Sequence, residues 1–354
     1  MPTNNILGVR RIKKNDIIAP GRIRREGGGR INAENQFENI DDIFLSVISE
    51  HIAGDPMNEK IKWVKLTRAN ISQAMKGKGI NISRNIVRRL LKKHGFVKRK
   101  MVKKQSTGIC QYRDEQFKNI ESIKIKFMKS DNPILSIDTK KKEKLGNLYR
   151  DGQVYCTQAI ETYDHDYPHL AKGIIVPHGI YDMKRNEALI SIGLENETAE
   201  FICDSIKKWW NKLGKKYYPN ASEILIFCDA GGANSYRHNV FKVALQNLAT
   251  ALNLTLRICH YPPYTSKWNP IEHRVFPHVS RAMEGVKLES VKDAKKLIEN
   301  TETKTGLNVV VHTINKIYKT GIKVAKEVLD KINITKHGEL GQLNYTIAPM
   351  EVGV

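Results

Sequence analysis

Asp138, Asp229 and Glu272 are the residues whose setting suggests chemistry. The apolar, β-branched run Ile134 to Ile137 ends on Asp138, and a second run, Ile224 to Phe227, leads through Cys228 into Asp229. Glu272 follows Pro270 and Ile271, inside the first turn of a helix that proline is suited to open. Singly, an aspartate at a strand end is more often a turn residue, and an early helix glutamate more often answers the helix dipole. Jointly, three carboxylates spaced by 91 and 43 residues could meet in one shallow site. Hard oxygen ligands of this kind suit Mg²⁺ or Mn²⁺, and two such ions about 3.5–4 Å apart serve in-line displacement at a phosphodiester. Asp182, Asp204 and Glu143 lack the alignment and are expected to serve structure or solubility. His260 and His273 flank the expected site, where they could orient phosphate or a carboxylate or simply pack.

The elements needed to position the three acids are legible around them. Strand patterns at Ile134 to Ile137, His178 to Asp182 and Ala188 to Leu194 precede a helix that Thr198 caps and that carries an apolar stripe of Phe201, Ile202, Ile206, Trp209 and Trp210. A strand into Asp229, a helix, a further strand through Cys259 and the helix bearing Glu272 complete the order. Three strands, helix, strand, helix, strand, helix predicts an α/β domain: an RNase H-like mixed five-stranded sheet with flanking helices. The first and fourth strands of such a sheet are neighbours, which would bring Asp138 beside Asp229.

Charge marks a second function in the chain's front part. The 354 residues carry 59 Lys and Arg against 37 Asp and Glu, a net +22. Residues 1–130 hold 29 and 12 of these, net +17, and residues 131–354 hold 30 and 25, net +5. A basic chain can reflect genome composition alone, but concentrated charge is the footprint of a nucleic-acid binder. The run Ser83 to Lys104 has ten basic residues and no acid, with Ile86, Val87, Leu90 and Leu91 on one helical face. A shorter helix from about Thr67 to Lys76, then glycines, precedes it, so the pair predicts a helix-turn-helix in an all-α DNA-binding region. Arg84, Asn85, Arg88 and Arg89 are candidates for base edges, and Lys92, Lys98, Arg99 and Lys100 for the backbone. No window approaches a membrane span, and five widely spaced cysteines without a C-x-x-C pair argue against a zinc module and a disulfide framework.

Longer motifs carry a family resemblance. SIDTKKKEKLGN, YDMKRNEALISIGL, CDAGGANSYR, YTSKWNPIEHR, TETKTGL and NYTI, in that order, resemble the Rhodopirellula-type DDE transposases of bacterial insertion sequences, and HYPPYTSKWNPIEHRVF resembles the third-carboxylate signature of mariner-related transposases. The resemblance runs from Gly21 to Ile347. It implies an enzyme that binds the terminal inverted repeats of its element, cuts there and joins the freed ends to target DNA. Asp138, Asp229 and Glu272 fall on the three catalytic and metal-binding carboxylates, with two Mg²⁺ or Mn²⁺ ions as cofactor. Double-stranded DNA, both element ends and target, is the expected partner, bound by a homodimer, without a membrane. The expected location is the cytoplasm on the nucleoid, or the nucleus of a eukaryotic host. Family members carry an additional helix-turn-helix ahead of GRIR, whereas Met1 lies twenty residues before Gly21 here. A truncated, transposition-incompetent DNA-binding remnant or recruited regulator is therefore the alternative.

The expected division is 1–60 as a basic arm and linker with a remnant of a first helix-turn-helix, 61–130 as the helix-turn-helix region, 131–285 as the catalytic domain and 286–354 as a C-terminal extension.

Overall fold

The computed structural model describes residues 36–55, 58–101 and 110–351. The expected arm and remnant in residues 1–35, with Lys103 and Lys104, lie outside the described residues. The chain forms two compact units that divide between Lys104 and Gln105.

Among its described residues the first unit has three helices and a hairpin: α1 (Ile40–Ser49), β1 (Ile52–Asp55), β2 (Asn58–Val64), α2 (Arg68–Gly77) and α3 (Arg84–Lys93). Thr67 caps α2, its Oγ1 accepting the Asn70 N–H at 3.2 Å. Gly79, at φ +85°, turns the chain toward α3 in a conformation costly for other residues. Ile71 and Met75 of α2, Val87 and Leu90 of α3, and Ile40, Phe44 and Ile48 of α1 make one buried cluster. The basic residues of α3 are left on the opposite face. Asp41 joins α1 to the end of α3, accepting from Lys93 at 2.5 Å and meeting His94 at 2.6 Å. The region is not all-α, as β1 and β2 pair antiparallel with Ile52 opposite Val64. Its signal is the alternation Lys60, Ile61, Lys62, Trp63, which favours a strand.

The second unit begins with α4 (Arg113–Met128), followed by β3 (Ile134–Thr139), β4 (Glu143–Leu145), β5 (Gly173–Asp182) and β6 (Glu187–Gly193). Then come α5 (Ala199–Trp209), β7 (Glu223–Cys228), α6 (Asn239–Leu252), β8 (Thr255–His260), α7 (Pro270–Arg274), α8 (Phe276–Ala282) and α9 (Val291–Glu299). The last strands are β9 (Asn308–Thr313), β10 (Ile334–Lys336) and β11 (Asn344–Ile347). The expected boundary near residue 130 moves forward, because α4 buries Ile120, Ile123 and Phe127 against Ile134, Leu225 and Phe227 of the sheet.

The sheet order is β10-β11-β8-β7-β3-β5-β6-β9, with β4 added to β5. In the central five, β6-β5-β3 run antiparallel while β7 and β8 run parallel to β3, the RNase H-like arrangement. Nine strands replace the expected five, because residues 308–347 are no appended extension. The β-branched run Val309, Val310, Val311 adds β9 parallel to β6, and Asn344–Ile347 adds β11 antiparallel to β8. α5 and α6 cover one face over Leu135, Ile137, Ile226 and Ile258. α7, α8 and α9 cover part of the other over Ile175, Ile190, Ile192 and Val311. Among the described residues no helix is long and apolar enough to cross a membrane.

Candidate active site

β3 and β7 are parallel neighbours with Ser136 opposite Phe227. Asp138 and Asp229 each lie two residues beyond that pair, at the carboxyl ends of the two strands. Both acids are half-buried at the carboxyl ends of strands whose apolar residues are buried. Glu272 arrives from α7, where Pro270 occupies the first turn and Ile271 is buried beneath it. It is near enough to Asp138 for its charge to raise the Asp138 carboxyl.

Two residues that sequence reasoning passed over fasten α7 to the strand ends. Asn269, fully buried, donates its side-chain amide to the Ile137 carbonyl at 3.0 Å and to the Asp229 carboxylate at 3.2 Å. Its Oδ1 accepts from Ser136 Oγ at 2.5 Å, and Ser136 Oγ accepts the Ile271 N–H at 3.0 Å. Their signal was a serine inside an apolar strand and an asparagine directly before Pro270. Gly179, opposite Asp138 on β5, completes the fit: a Cβ there would stand 2.6 Å from Ile271 Cδ1 and 2.8 Å from Phe276 Cε1. Only a residue without a side chain lets α7 and α8 lie this close to the strand.

The electrostatics are those of a site short of positive charge. Burial, then the neighbouring charges of Asp229 and Glu272, push the Asp138 carboxyl up to about 9, against the opposing Thr139 N–H at 2.8 Å from its Oδ1. Burial pushes Asp229 up to about 6, the Asn269 amide opposing and Glu272 adding to the rise. Among the described residues no group of three or more His, Cys, Asp and Glu side chains is already arranged to hold a metal ion. The donor chemistry nevertheless fits a divalent cation. Asp138, Asp229 and Glu272 offer hard carboxylate oxygens, and a bound Mg²⁺ or Mn²⁺ would supply the countercharge that the raised Asp138 and Asp229 lack.

The flanking groups separate into support and surface. His260 is fully buried, and burial pulls its imidazole down to about 4, so it is neutral. Its Nδ1 lies 3.0 Å from the Asp229 carbonyl, which can only accept, so the hydrogen sits on Nδ1 and Nε2 accepts from the Tyr345 hydroxyl at 3.1 Å. β11 thereby steadies the backbone of Asp229. His273 is exposed and meets the Lys267 carbonyl instead. Thr139 Oγ1 lies 2.9 Å from Nδ1 of the buried His178, and burial pushes the Glu197 carboxyl up while Thr139 opposes the rise. Asp182 is buried away from the trio and takes the Tyr218 hydroxyl at 2.7 Å. Glu143 accepts from Lys140 and, at 2.6 Å, from Arg150, and Asp204 accepts from Lys316 at 2.9 Å.

In the other unit, Arg84, Asn85, Arg88, Arg89 and Lys92 are all exposed on α3, and Lys98, Arg99 and Lys100 are exposed in the segment after it. Those eight residues therefore share one stretch of accessible surface chain, while Val87 and Leu90 anchor the helix from beneath.

Comparison with solved structures finds the Mos1 transposase paired-end complex with left transposon end, at 15% identity and a TM-score of 0.39, covering 84% of this chain and 79% of that one. A pre-cleavage Mos1 transpososome covers the same shares at 13% identity and a TM-score of 0.40. The Mos1 mariner paired end complex with Mn is similar at 14% identity and 0.39, again over 84% and 79%. No curated protein matches the chain. The family profile described as Rhodopirellula transposase DDE domain matches residues 44–349, which span both units. The chain belongs to that transposase family.

Proposed function

We propose that this transposase cuts DNA at the ends of its element and joins the freed ends to target DNA, with Asp138, Asp229 and Glu272 as the catalytic carboxylates. The observation that supports the reading is that Asp138 and Asp229 end two neighbouring parallel strands and that Asn269 and Ser136 fasten to them the helix bearing Glu272. When bound there, two Mg²⁺ or Mn²⁺ ions would activate the attacking oxygen and stabilise the leaving oxygen of the phosphodiester. Asn269 and His260 hold Asp229 in place, and Ser136 holds the start of α7. Water attacks first and leaves a 3′-hydroxyl at the element end; that hydroxyl then attacks a target phosphodiester in the same site.

Recognition belongs to the amino-terminal unit in this reading. α2 and α3 act as a helix-turn-helix, with Arg84, Asn85, Arg88 and Arg89 reading base edges and Lys92, Lys98, Arg99 and Lys100 holding phosphates. Two element ends must be processed together, so the working form is a homodimer on DNA. A joining assay tests the function. Protein, Mg²⁺, a labelled duplex ending in the inverted repeat and a target plasmid should yield label covalently attached to plasmid through the 3′ end. Cut ends with no joined product would limit the activity to cleavage.

A further inference from the structure

Two aromatic residues on the loop between β8 and α7 take no part in the core: Tyr264 is 63% exposed and Trp268 53% exposed, with the buried Thr265 between them in sequence. Tyr264 is held at φ +64°, in the left-handed region. The other described non-glycine residues found there are Asn186 and Asn253, whose short polar side chains tolerate it, whereas a tyrosine adopts it only where its surroundings enforce it. Thr265 supplies the enforcement, its Oγ1 donating to the Pro262 carbonyl at 2.6 Å and its own carbonyl accepting the Trp268 N–H at 2.8 Å. Trp268 in turn meets Phe117 of α4 edge to face, ring centres 6.1 Å apart at 75°. Lys267 places its ammonium 5.7 Å from the centre of the same indole. The loop is fixed before any ligand arrives, which lowers the conformational cost of binding.

The rings lie on the carboxylates' face of the sheet. Phe117 also packs against Tyr261, in the cluster that α4 forms with Ile134, Leu225 and Phe227. Alternate residues of a strand share a face, so Asp138 projects on the side of Ile134, and Asp229 on the side of Leu225 and Phe227. Asn269, the residue after Trp268, agrees with this by reaching the Asp229 carboxylate at 3.2 Å.

An exposed aromatic face with a cation beside it suits another flat π system, and nucleic acid offers one in every base. Inside an intact duplex both faces of a base are covered by its neighbours, so these rings can take only a base that has left the stack. We propose that Tyr264 and Trp268 form a stacking platform for an unpaired nucleobase beside the phosphodiester at the carboxylate site. The proposal rests on DNA being the substrate of that site. Stacking accepts any base, so the platform positions opened DNA and reads no sequence.

Competition binding of the full chain to two fluorescent duplexes of equal length and charge tests it, one fully paired and one with a central bubble of mismatched bases. Wild type should prefer the bubble by about fivefold or more, because its bases are already unpaired. A bubble of abasic sites keeps the backbone and should lose that preference. Tyr264→Gly and Trp268→Ala should each bring the two affinities close to parity. Glycine adopts φ +64° without strain, so Tyr264→Gly should melt no lower than wild type while losing the preference. If Trp268→Ala melts early, Trp268→Phe, which keeps a ring against Phe117, must show the wild-type preference. A preference that persists with abasic sites, or that Tyr264→Gly leaves at the wild-type level, overturns the platform, as does equal binding of bubble and paired duplex by wild type. Wild type that binds neither duplex sinks the DNA reading itself, a failure distinct from that of the platform.

Discussion

Asn269 holds Asp229 by a side-chain hydrogen bond of 3.2 Å while its other amide hydrogen reaches the Ile137 carbonyl, one residue before Asp138. A single buried amide thus ties both strand ends to the helix that carries Glu272, and the spacing of the carboxylates is set by packing inside the protein. Positioning residues, not only the acids, should therefore govern the site's behaviour.

Replacing Asn269 with alanine strands the Ile137 carbonyl and the Ser136 hydroxyl in a buried setting. The expected loss is about 1–3 kcal/mol of folding stability, measurable by urea unfolding. Loss of the amide also removes what opposes the rise of Asp229. The acid limb of the cleavage pH profile should move to higher pH, a change that a purely structural loss would not produce.

Gly179→Ala places a methyl group against Ile271 and Phe276, at separations no real Cβ shows. The Ile271 and Phe276 side chains must move and disturb the seating of α7, at a stability loss of about 1–3 kcal/mol. Cleavage should fall while duplex affinity stays at the wild-type value if α3, which lies in the other unit, is the recognition helix. Affinity and cleavage falling together would show a general folding defect.

Without metal, the stability of the fold should decline as pH rises. Asp138 titrates near 9 and Asp229 near 6 in the folded chain, against an ordinary value of 3.8. The unfolded chain releases these protons first, so the native state keeps their full contribution below about pH 4 and loses it progressively above that, Asp229's share by about pH 6 and Asp138's by about pH 9. Asp138→Asn cannot ionise, and its metal-free melting temperature at pH 8 should exceed that of wild type by about 2–4 °C, the equivalent of roughly 1 kcal/mol. At pH 4 the gain should vanish. Mn²⁺ must displace the same proton, so its affinity should rise with pH across this window.

The places of the three acids, two at strand ends and one early in a helix, were legible in the sequence because each aspartate ends an apolar run and Glu272 follows a helix-opening proline; both are local signals. The five central strands were legible for the same reason. Ser136, Asn269 and Gly179 were not, since a polar residue in a strand, an asparagine before proline and a strand glycine acquire meaning only when three segments distant in sequence meet. The hairpin β1–β2 escaped because the basic surroundings hid its alternation. The edge strands β9 and β11 escaped because nothing in a short β-branched run says which existing strand it will extend. Tyr345 illustrates the consequence: a residue of the apparent extension steadies His260 and, through it, Asp229.

The exposed face of α3 supplies a separable test of recognition. Arg88→Ala should alter the preferred base at one position by about 1–3 kcal/mol in a selection from randomised duplexes. Neutralising Lys98, Arg99 and Lys100 together should instead weaken binding to every sequence and lower the salt slope. Unchanged preference in Arg88→Ala would remove α3 from the major groove.

The most direct test of the carboxylate trio is the rate of Mn²⁺-dependent nicking of inverted-repeat DNA by wild type, Asp138→Asn, Asp229→Asn and Glu272→Gln, each first shown to be folded. Wild type should nick only with metal present. Every variant should be slower by about a hundredfold or more, the rate equivalent of roughly 3 kcal/mol lost from the transition state. Nicking at the wild-type rate by any of the three variants would contradict the assignment of that carboxylate to the site.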